Sequence, residues 1–447
     1  MNSVRVIKEA SKVVLSICGV MPKADINNWR YSEFILRHPV TDGELLYSFL
    51  TGELILVRSF SDSFVYLVNN RFVVPKKYDE RQNVHKYQKI ISSIRKVQKP
   101  MLNTFEIVTT TSCNADCFYC YERGFQKASM KKETAQASAE FIAKHSGPIK
   151  LIWFGGEPLV NLMPIKVISE ILMGKNVDFS ASLTTNGLQI TDSLIDKMIK
   201  WRINHITVTL DGTEERYNQI KNYKTRIKNP YKTVLDNLVK IVQAGIKLSI
   251  RINIEKHNIE DAVILADYLR ELFHETDLVS FMFRTLNNTR QDSTIESSDR
   301  KRIFHVVESE MDKMFSAGFN VAVPLMSGVA GHCCKADSGQ FILIRPDGKM
   351  AFCSEDFDSI CAGSVYDDPN TIVIPSLSDR LFEKIGEICG TCPKYPNCMP
   401  TMCCPAHKST ICTREERDLI IHETILSMLQ EYKKFNVKDY ENQRNIR

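Results

Sequence analysis

Six short runs rich in Val and Ile, each followed by a stretch with helical periodicity, predict an α/β fold. From about residue 105, the runs 105–109, 149–154, 178–184, 205–210, 247–253 and 278–284 read as strands. Segments 129–144, 165–173, 192–201, 231–244, 259–273 and 299–315 read as the helices that follow them. Parallel βα units in this rhythm give a partial (β/α)6 TIM-like barrel; a doubly wound open sheet is the rival, because strand order is not written in a sequence. The second observation is where glycine falls. Gly155-Gly156, Asn186-Gly187 and Asp211-Gly212 each follow a strand, where a backbone without Cβ allows a ligand to come close. In a β/α barrel those strand-end loops carry the chemistry. The third is a C-terminal extension dense in cysteine.

Residues 1–99 precede the barrel and read as a small α+β module. Segments 31–36, 54–59 and 64–67 look like short strands around 45–50, a short apolar helix or turn. Residues 85–99 read as a basic amphipathic helix, and the polarity of the module predicts only a modest core. The barrel is expected over 100–325, the cysteine-rich domain over 326–413, and a helix with its tail over 414–447. Within that tail, 415–433 places Leu419, Ile420, Ile425, Leu426 and Leu429 on one broad face that should pack back on the body.

The whole chain has 447 residues, 14 Cys, 43% hydrophobic residues and a formal net charge of +5. A chain this long holds two to four domains with room for a true core. It shows neither a secretory signal pattern nor an uncharged apolar run approaching the ~20 residues that cross a bilayer. A cytoplasmic location is therefore expected, where dense cysteines mean metal more often than disulfide. Basicity is mild; Lys221, Lys224, Arg226 and Lys228 form its sharpest patch, expected to be a solvated surface loop. Nothing here argues for nucleic acid.

Cys113, Cys117 and Cys120 lie in the loop after the first strand of the barrel, spaced x3 and x2. Zinc prefers four ligands, often from paired Cys-x2-Cys knuckles, and the nearest other cysteine, Cys18, is distant and isolated. Three thiolates suit an iron–sulfur cluster with one iron left open for chemistry. Phe118 and Tyr119 are expected to shield it from water. The C-terminal field holds Cys333, Cys334, Cys353, Cys361, Cys389, Cys392, Cys398, Cys403, Cys404 and Cys412. These ten can complete two four-thiolate clusters with two left over, structural zinc being the alternative. The prolines among them leave little regular structure, so metal must supply part of the folding energy.

The stretch Cys113-Asn114-Ala115-Asp116-Cys117-Phe118-Tyr119-Cys120 resembles the Cx3CxφC signature of radical S-adenosylmethionine enzymes. Gly155-Gly156-Glu157-Pro158 is similar to that family's GGEP segment, and Thr185-Asn186-Gly187 to its TNG segment. The C-terminal field resembles the SPASM extension: Cys334-x13-Gly348-x4-Cys353, then Cys389-x2-Cys392-x5-Cys398, then Cys403 or Cys404, and Cys412. The pattern departs where Met402 stands at the expected cysteine position, so either Cys403 or Cys404 is the ligand. Cys333 competes with Cys334 in the same way, and Cys361 is either an extra ligand or a buried apolar thiol. The resemblance covers about 100–413.

The resemblance implies a [4Fe-4S] cluster on Cys113, Cys117 and Cys120 and two auxiliary [4Fe-4S] clusters in the extension. The open iron is then chelated by the amino and carboxylate groups of S-adenosylmethionine. Glu157 and the Gly155-Gly156 backbone are implied to bind the methionine ammonium, and Asn186, Arg251 and Asn253 the carboxylate and ribose. Tyr119 and Thr185 complete the implied cofactor set. The rival reading of Arg251 is a salt bridge at the barrel rim, and of Glu157 a plain surface acid. Arg251 and Asn253 share one strand face by the period of two. One-electron reduction of the sulfonium releases methionine and a 5′-deoxyadenosyl radical that takes hydrogen from unactivated carbon, the cofactor carrying the hard step.

SPASM relatives modify peptides and proteins. Residues 31–72, with Val40-Thr41-Asp42-Gly43-Glu44-Leu45-Leu46-Tyr47 and Thr51-Gly52-Glu53-Leu54, resemble the N-terminal portion of peptide maturases. Part of this segment is expected to bind the leader of a precursor peptide at an exposed strand edge, the alternative being a simple domain cover. A flavodoxin or ferredoxin-type electron donor is implied as a second partner. The expected function is a peptide maturase that installs a thioether or related crosslink, with anaerobic sulfatase-type maturation as the alternative. Many relatives carry His-Asp where this chain has Tyr217-Asn218, which suggests a shifted substrate loop. Sulfatase maturases place an aspartate after the cysteine equivalent to Cys353; Ser354 stands there, leaving Glu355 and Asp356 as weak candidates for a catalytic base.

Overall fold

The computed structural model describes residues 3–19, 21, 26–97, 101–274, 276–286, 297–321, 324–325, 328–330, 335, 338–353, 361–372, 387–398 and 412–445. Its chain divides into two compact units: residues 1–99, 322–337 and 375–447 in one, and 100–321 with 338–374 in the other.

The first unit opens with β1 (Val4–Lys8), α1 (Lys12–Cys18), β2 (Trp29–Tyr31), β3 (Ile35–Val40), β4 (Gly43–Ser48) and β5 (Leu54–Val57). Then come α2 (Phe60–Asn69), β6 (Val73–Pro75) and α3 (Glu80–Val97). An antiparallel sheet runs in the order β1-β5-β4-β3, and β2 pairs with β6. Residues 45–50 are therefore not a helix or turn, since 45–48 are strand. Leu45 and Tyr47 face one apolar cluster and Leu46 the other, so a strand buried on both faces reads as an unbroken apolar run. Residues 64–67, read as a strand, belong to α2. Ser59 caps it by accepting from the Asp62 N–H, and Phe64 stacks edge-on to Trp29 at 5.7 Å. The expected modest core is corrected too: Phe34, Leu45, Leu46, Leu54, Ile55 and Phe72 are all fully buried.

The second unit begins with β7 (Thr104–Thr110), α4 (Lys132–Ala143), β8 (Ile149–Gly155), α5 (Leu162–Gly174), β9 (Phe179–Thr185) and α6 (Asp192–Lys200). It continues with β10 (Ile203–Leu210), α7 (Glu214–Lys221), α8 (Pro230–Gln243), β11 (Lys247–Ile254), α9 (Ile259–Leu272), β12 (Val279–Thr285) and α10 (Ser297–Ser316). All six anticipated βα units are present; α7 was not anticipated. Strands β7 to β12 lie side by side in chain order and all pair in parallel. A doubly wound sheet reverses its order at a switch point, and this run has no reversal. Next to β7, β13 (Phe341–Ile344) adds a parallel strand, and β14 (Lys349–Ala351) and β15 (Cys361–Ser364) add antiparallel ones, so the nine-stranded sheet is mixed.

The two faces of the parallel run differ. On one, Phe105, Leu151, Ala181, Val208, Ile250 and Phe281 are buried, and Phe105 meets Phe141 of α4. On the other, pairing aligns Ser182 with His205, and Thr184 with Thr207, Ser249 and Ser280. His205 Nε2 lies 2.8 Å from Ser249 Oγ, which lies 2.7 Å from Ser280 Oγ. Helices on both sides demand two apolar faces; a polar row marks a face turned to solvent or ligand. The last helix, α11 (Arg414–Asn445), belongs to the first unit. A capping box starts it: Thr413 Oγ1 accepts from the Glu416 N–H, and Glu416 accepts from the Thr413 N–H at 2.8 Å. Of the face expected to pack back, Leu426 is buried and Leu419, Ile420, Ile425 and Leu429 are half-buried, while Met428, not anticipated, is fully buried.

Candidate active site

The loop after β7 carries Cys113, Cys117 and Cys120, all half-buried free thiols. It is zipped to the end of β8: Gly156 donates its N–H to Thr110 O and Glu157 donates to Ser112 O, each at 2.9 Å. A Cβ on Gly155, whose φ is +129°, would sit 2.2 Å from Thr110 O; one on Gly156 would sit 2.5 Å from Ser112 O. These glycines let the two loops meet, a reason beside the ligand approach expected of them.

Glu157 is no surface acid, being 1% exposed. Its Oε1 accepts from Leu159 N–H (3.0 Å) and the Thr185 hydroxyl (2.7 Å), and its Oε2 from Asn186 N–H (2.7 Å). Burial pushes its carboxyl up and these donors pull it down. Asn186 also donates to Asn114 Oδ1 at 2.7 Å, tying the end of β9 to the cysteine loop. The ends of β7, β8 and β9 thus converge, and with them Thr185, Asn186, Glu157 and the cysteines.

A second set of groups holds the same loop. Lys221, expected on a solvated patch, is 3% exposed and pairs with the fully buried Asp211 at 2.9 Å. Burial works against its charge, but Asp211, Tyr119, Cys117 and Tyr217 together more than restore it. The Tyr119 hydroxyl donates to Asp211 at 2.6 Å, and Lys221 Nζ donates to that hydroxyl at 3.1 Å. Backbone bonds run from Asp116 N–H to Lys221 O (2.9 Å) and from Lys224 N–H to Asn114 O (2.8 Å), on either side of the left-handed Asn222. On β11, Arg251 Nε donates to Asn253 Oδ1 (2.9 Å), and Asn253 donates to Asp211 Oδ1 (3.0 Å). Arg251 is exposed and makes no ion pair among the described residues, against the rim salt bridge. Tyr217 lies in α7, not in a substrate loop, fully buried with its hydroxyl 2.7 Å from that of Tyr223. Phe118 is 43% exposed and shields little.

Burial pushes the Cys113 thiol up to about 11, and Glu157, Cys117 and Cys120 add to the rise. Burial raises Cys117 and Cys120 as well. Three mutually repelling thiols beside a buried carboxylate suit a cationic metal centre and the ammonium of a ligand. Among the described residues, however, no three Cys, His, Asp or Glu side chains are gathered closely enough to hold a metal ion. In the first unit, Cys389, Cys392 and Cys398 all raise Cys412, which burial chiefly pushes up to about 12. Cys392 donates its N–H to Cys389 O in a turn, and Cys398 is buried. Cys353 is half-buried after β14, and the backbone of Cys361 pairs with Ala351. Cys333, Cys334, Cys403, Cys404, Glu355 and Asp356 lie outside the described residues.

Sequence reasoning missed Lys221 and Asp211 as site residues. Their one signal was the Asp-Gly pair at a strand end, and the lysine was hidden among neighbouring basic residues.

Residues 107–269 match the Radical SAM superfamily model. The chain therefore carries a radical SAM (AdoMet-dependent) enzymatic domain. It is similar to the Fe-coproporphyrin III synthase of Methanosarcina barkeri, 25% identical over 166 residues, covering 36% of this chain and 39% of that protein. The AdoMet-dependent heme synthase of the same organism is 23% identical over 209 residues, covering 46% of this chain and 57% of that one. These matches span about two fifths to three fifths of the curated relatives. The structure of anSMEcpe with bound AdoMet and Kp18Cys peptide aligns at TM-score 0.58 and 15% identity over 74% of this chain and 99% of that one. Streptococcus suis SuiB bound to S-adenosylmethionine aligns at TM-score 0.51 and 14% identity over 82% and 94%. At such identities the likeness speaks for the fold.

Proposed function

We propose that this chain is a peptide or protein maturase in which the parallel strands form a partial (β/α)6 barrel around S-adenosylmethionine. The observation that carries the reading is Glu157, a carboxylate buried where the cysteine loop meets the strand ends, with a fixed set of neutral donors. When bound, a [4Fe-4S] cluster on Cys113, Cys117 and Cys120 with S-adenosylmethionine supplies one-electron cleavage and a carbon-centred oxidant. Glu157 receives the methionine ammonium, held in place by Thr185 and Asn186. The exposed Arg251 guanidinium, oriented by Asn253, takes the carboxylate or ribose. Asp211 and Lys221 keep Tyr119, and through it the cysteine loop, in position. Cys389, Cys392, Cys398 and Cys412 are assigned to one auxiliary cluster.

Between the two chemistries, side-chain oxidation of the formylglycine-generating type has the better support, because anSMEcpe aligns over nearly its whole length at the higher TM-score. Crosslinking is retained because SuiB bound to the precursor peptide SuiA aligns over more of this chain, 83%. For that substrate, the outer strands of the first unit's sheet, β1 and β3, offer backbone to a leader peptide. Electrons come from a flavodoxin or ferredoxin-type donor. No described helix is long and apolar enough to cross a membrane.

The test is anaerobic incubation of the reconstituted chain with S-adenosylmethionine, reductant and the sulfatase or short cysteine-bearing peptide encoded beside its gene. Oxidation yields an aldehyde that a hydrazine reagent traps. A crosslink removes two hydrogens with no aldehyde. Cleavage of S-adenosylmethionine without any change in either polypeptide would remove the peptide reading.

A further inference from the structure

Outside the proposed cofactor site, the second unit contains a buried carboxylate that lacks what a buried charge needs. Glu122, two residues past Cys120, is 5% exposed, and neither of its carboxylate oxygens meets a hydrogen-bond partner among the described residues. Glu157 is buried more deeply still and has three donors, so burial does not by itself leave an acid unpartnered in this fold. An acid stranded in this way is costly unless something arrives to satisfy it. Lys127 and Glu106 are the charged groups near enough to act on it. Lys127 is exposed and its ammonium donates to Thr111 O at 3.0 Å. Glu106 is 3% exposed on β7, where it pairs across to Ile152 and Leu343 in line with the polar row of the sheet.

We propose that Glu122, backed by Glu106, is a subsite for a cationic side chain of the substrate, a lysine ammonium or an arginine guanidinium. A bare metal ion fits poorly, since no third carboxylate, thiol or imidazole is gathered with these two among the described residues. An ammonium or guanidinium brings several N–H donors of its own and satisfies both oxygens while neutralising the charge. The position next to Cys120 places such an anchor beside the loop where the radical chemistry is assigned. The inference rests on the peptide reading and sharpens it: the modified residue has a basic neighbour.

Calorimetric binding to the anaerobically reconstituted, S-adenosylmethionine-loaded full chain tests this. The probes are Ac-Ala-Lys-Ala-amide, its arginine and norleucine counterparts, and n-butylammonium. The basic peptides are expected to bind on the order of tenfold more tightly than the norleucine peptide. That preference should vanish in Glu122→Gln and Glu122→Ala, with unchanged cluster absorption to show that the variants are intact. Equal binding of all three peptides by the wild type, or a preference that survives both substitutions, overturns the subsite and leaves the peptide reading standing. Glu122-dependent binding of n-butylammonium with no peptide bound sustains the subsite and removes the peptide reading.

Discussion

At the scale of single residues, the charges that matter are the ones that left water. Lys221 and Asp211 are both buried, and each is tolerable only because the other stands 2.9 Å away with Tyr119 bridging them. Removing one partner leaves an uncompensated buried charge, so Lys221→Met should cost about 3–5 kcal/mol in denaturant unfolding. The double variant Lys221→Met with Asp211→Leu should recover most of that loss. If the double variant is as unstable as the sum of the single ones, the pair is not coupled as described. A sequence shows a lysine among lysines; only the fold of α7 reveals that this one turns inward.

Elements were legible where a pattern had one cause. The six parallel strands could be read because Val and Ile runs recur at βα spacing, whereas their order came only from the backbone pairing. Residues 45–50 misled because two cores meet on β4 and erase the alternation. α7 escaped notice because its inward positions are Tyr217, Ile220 and Lys221, too few and too mixed to mark an apolar stripe. The Gly155-Gly156 pair stood out as a place of close approach, and the approach the structure shows is that of the cysteine loop. Gly156→Ala should therefore destabilise the unit by more than the ~1 kcal/mol of a helix glycine change, because its Cβ meets the backbone Ser112 O at 2.5 Å. A thermal shift no larger than that of Gly174→Ala, where nothing lies within 4 Å, would contradict this role.

The first unit holds a pH-sensitive carboxyl. Glu53 on the approach to β5 is 1% exposed, and burial raises it to about 7, against the pull of the Tyr66 hydroxyl. The unfolded chain releases this proton near the ordinary carboxylate value, so between there and about 7 the folded state binds more protons. Stability from this group is thus greatest in acid and is lost as pH rises through that window. Glu53→Gln should flatten the slope and gain about 1–3 kcal/mol at pH 8. An unchanged slope in urea titrations across pH 5 to 8 would show that Glu53 is not the group responsible.

At the scale of the whole molecule, strand order, a polar sheet face and a loop of three thiols together define chemistry that no one of them defines alone. The sequence carried the thiols and the strand rhythm plainly. It could not carry the clamp of α7 on the cysteine loop, which depends on residues about a hundred positions apart. Formation of 5′-deoxyadenosine by the anaerobically reconstituted protein, given S-adenosylmethionine and dithionite, tests the central claim most directly. The wild type should release it with methionine, and Cys117→Ala should release none. A wild type that cleaves nothing, or a Cys117→Ala variant that cleaves equally well, would contradict it.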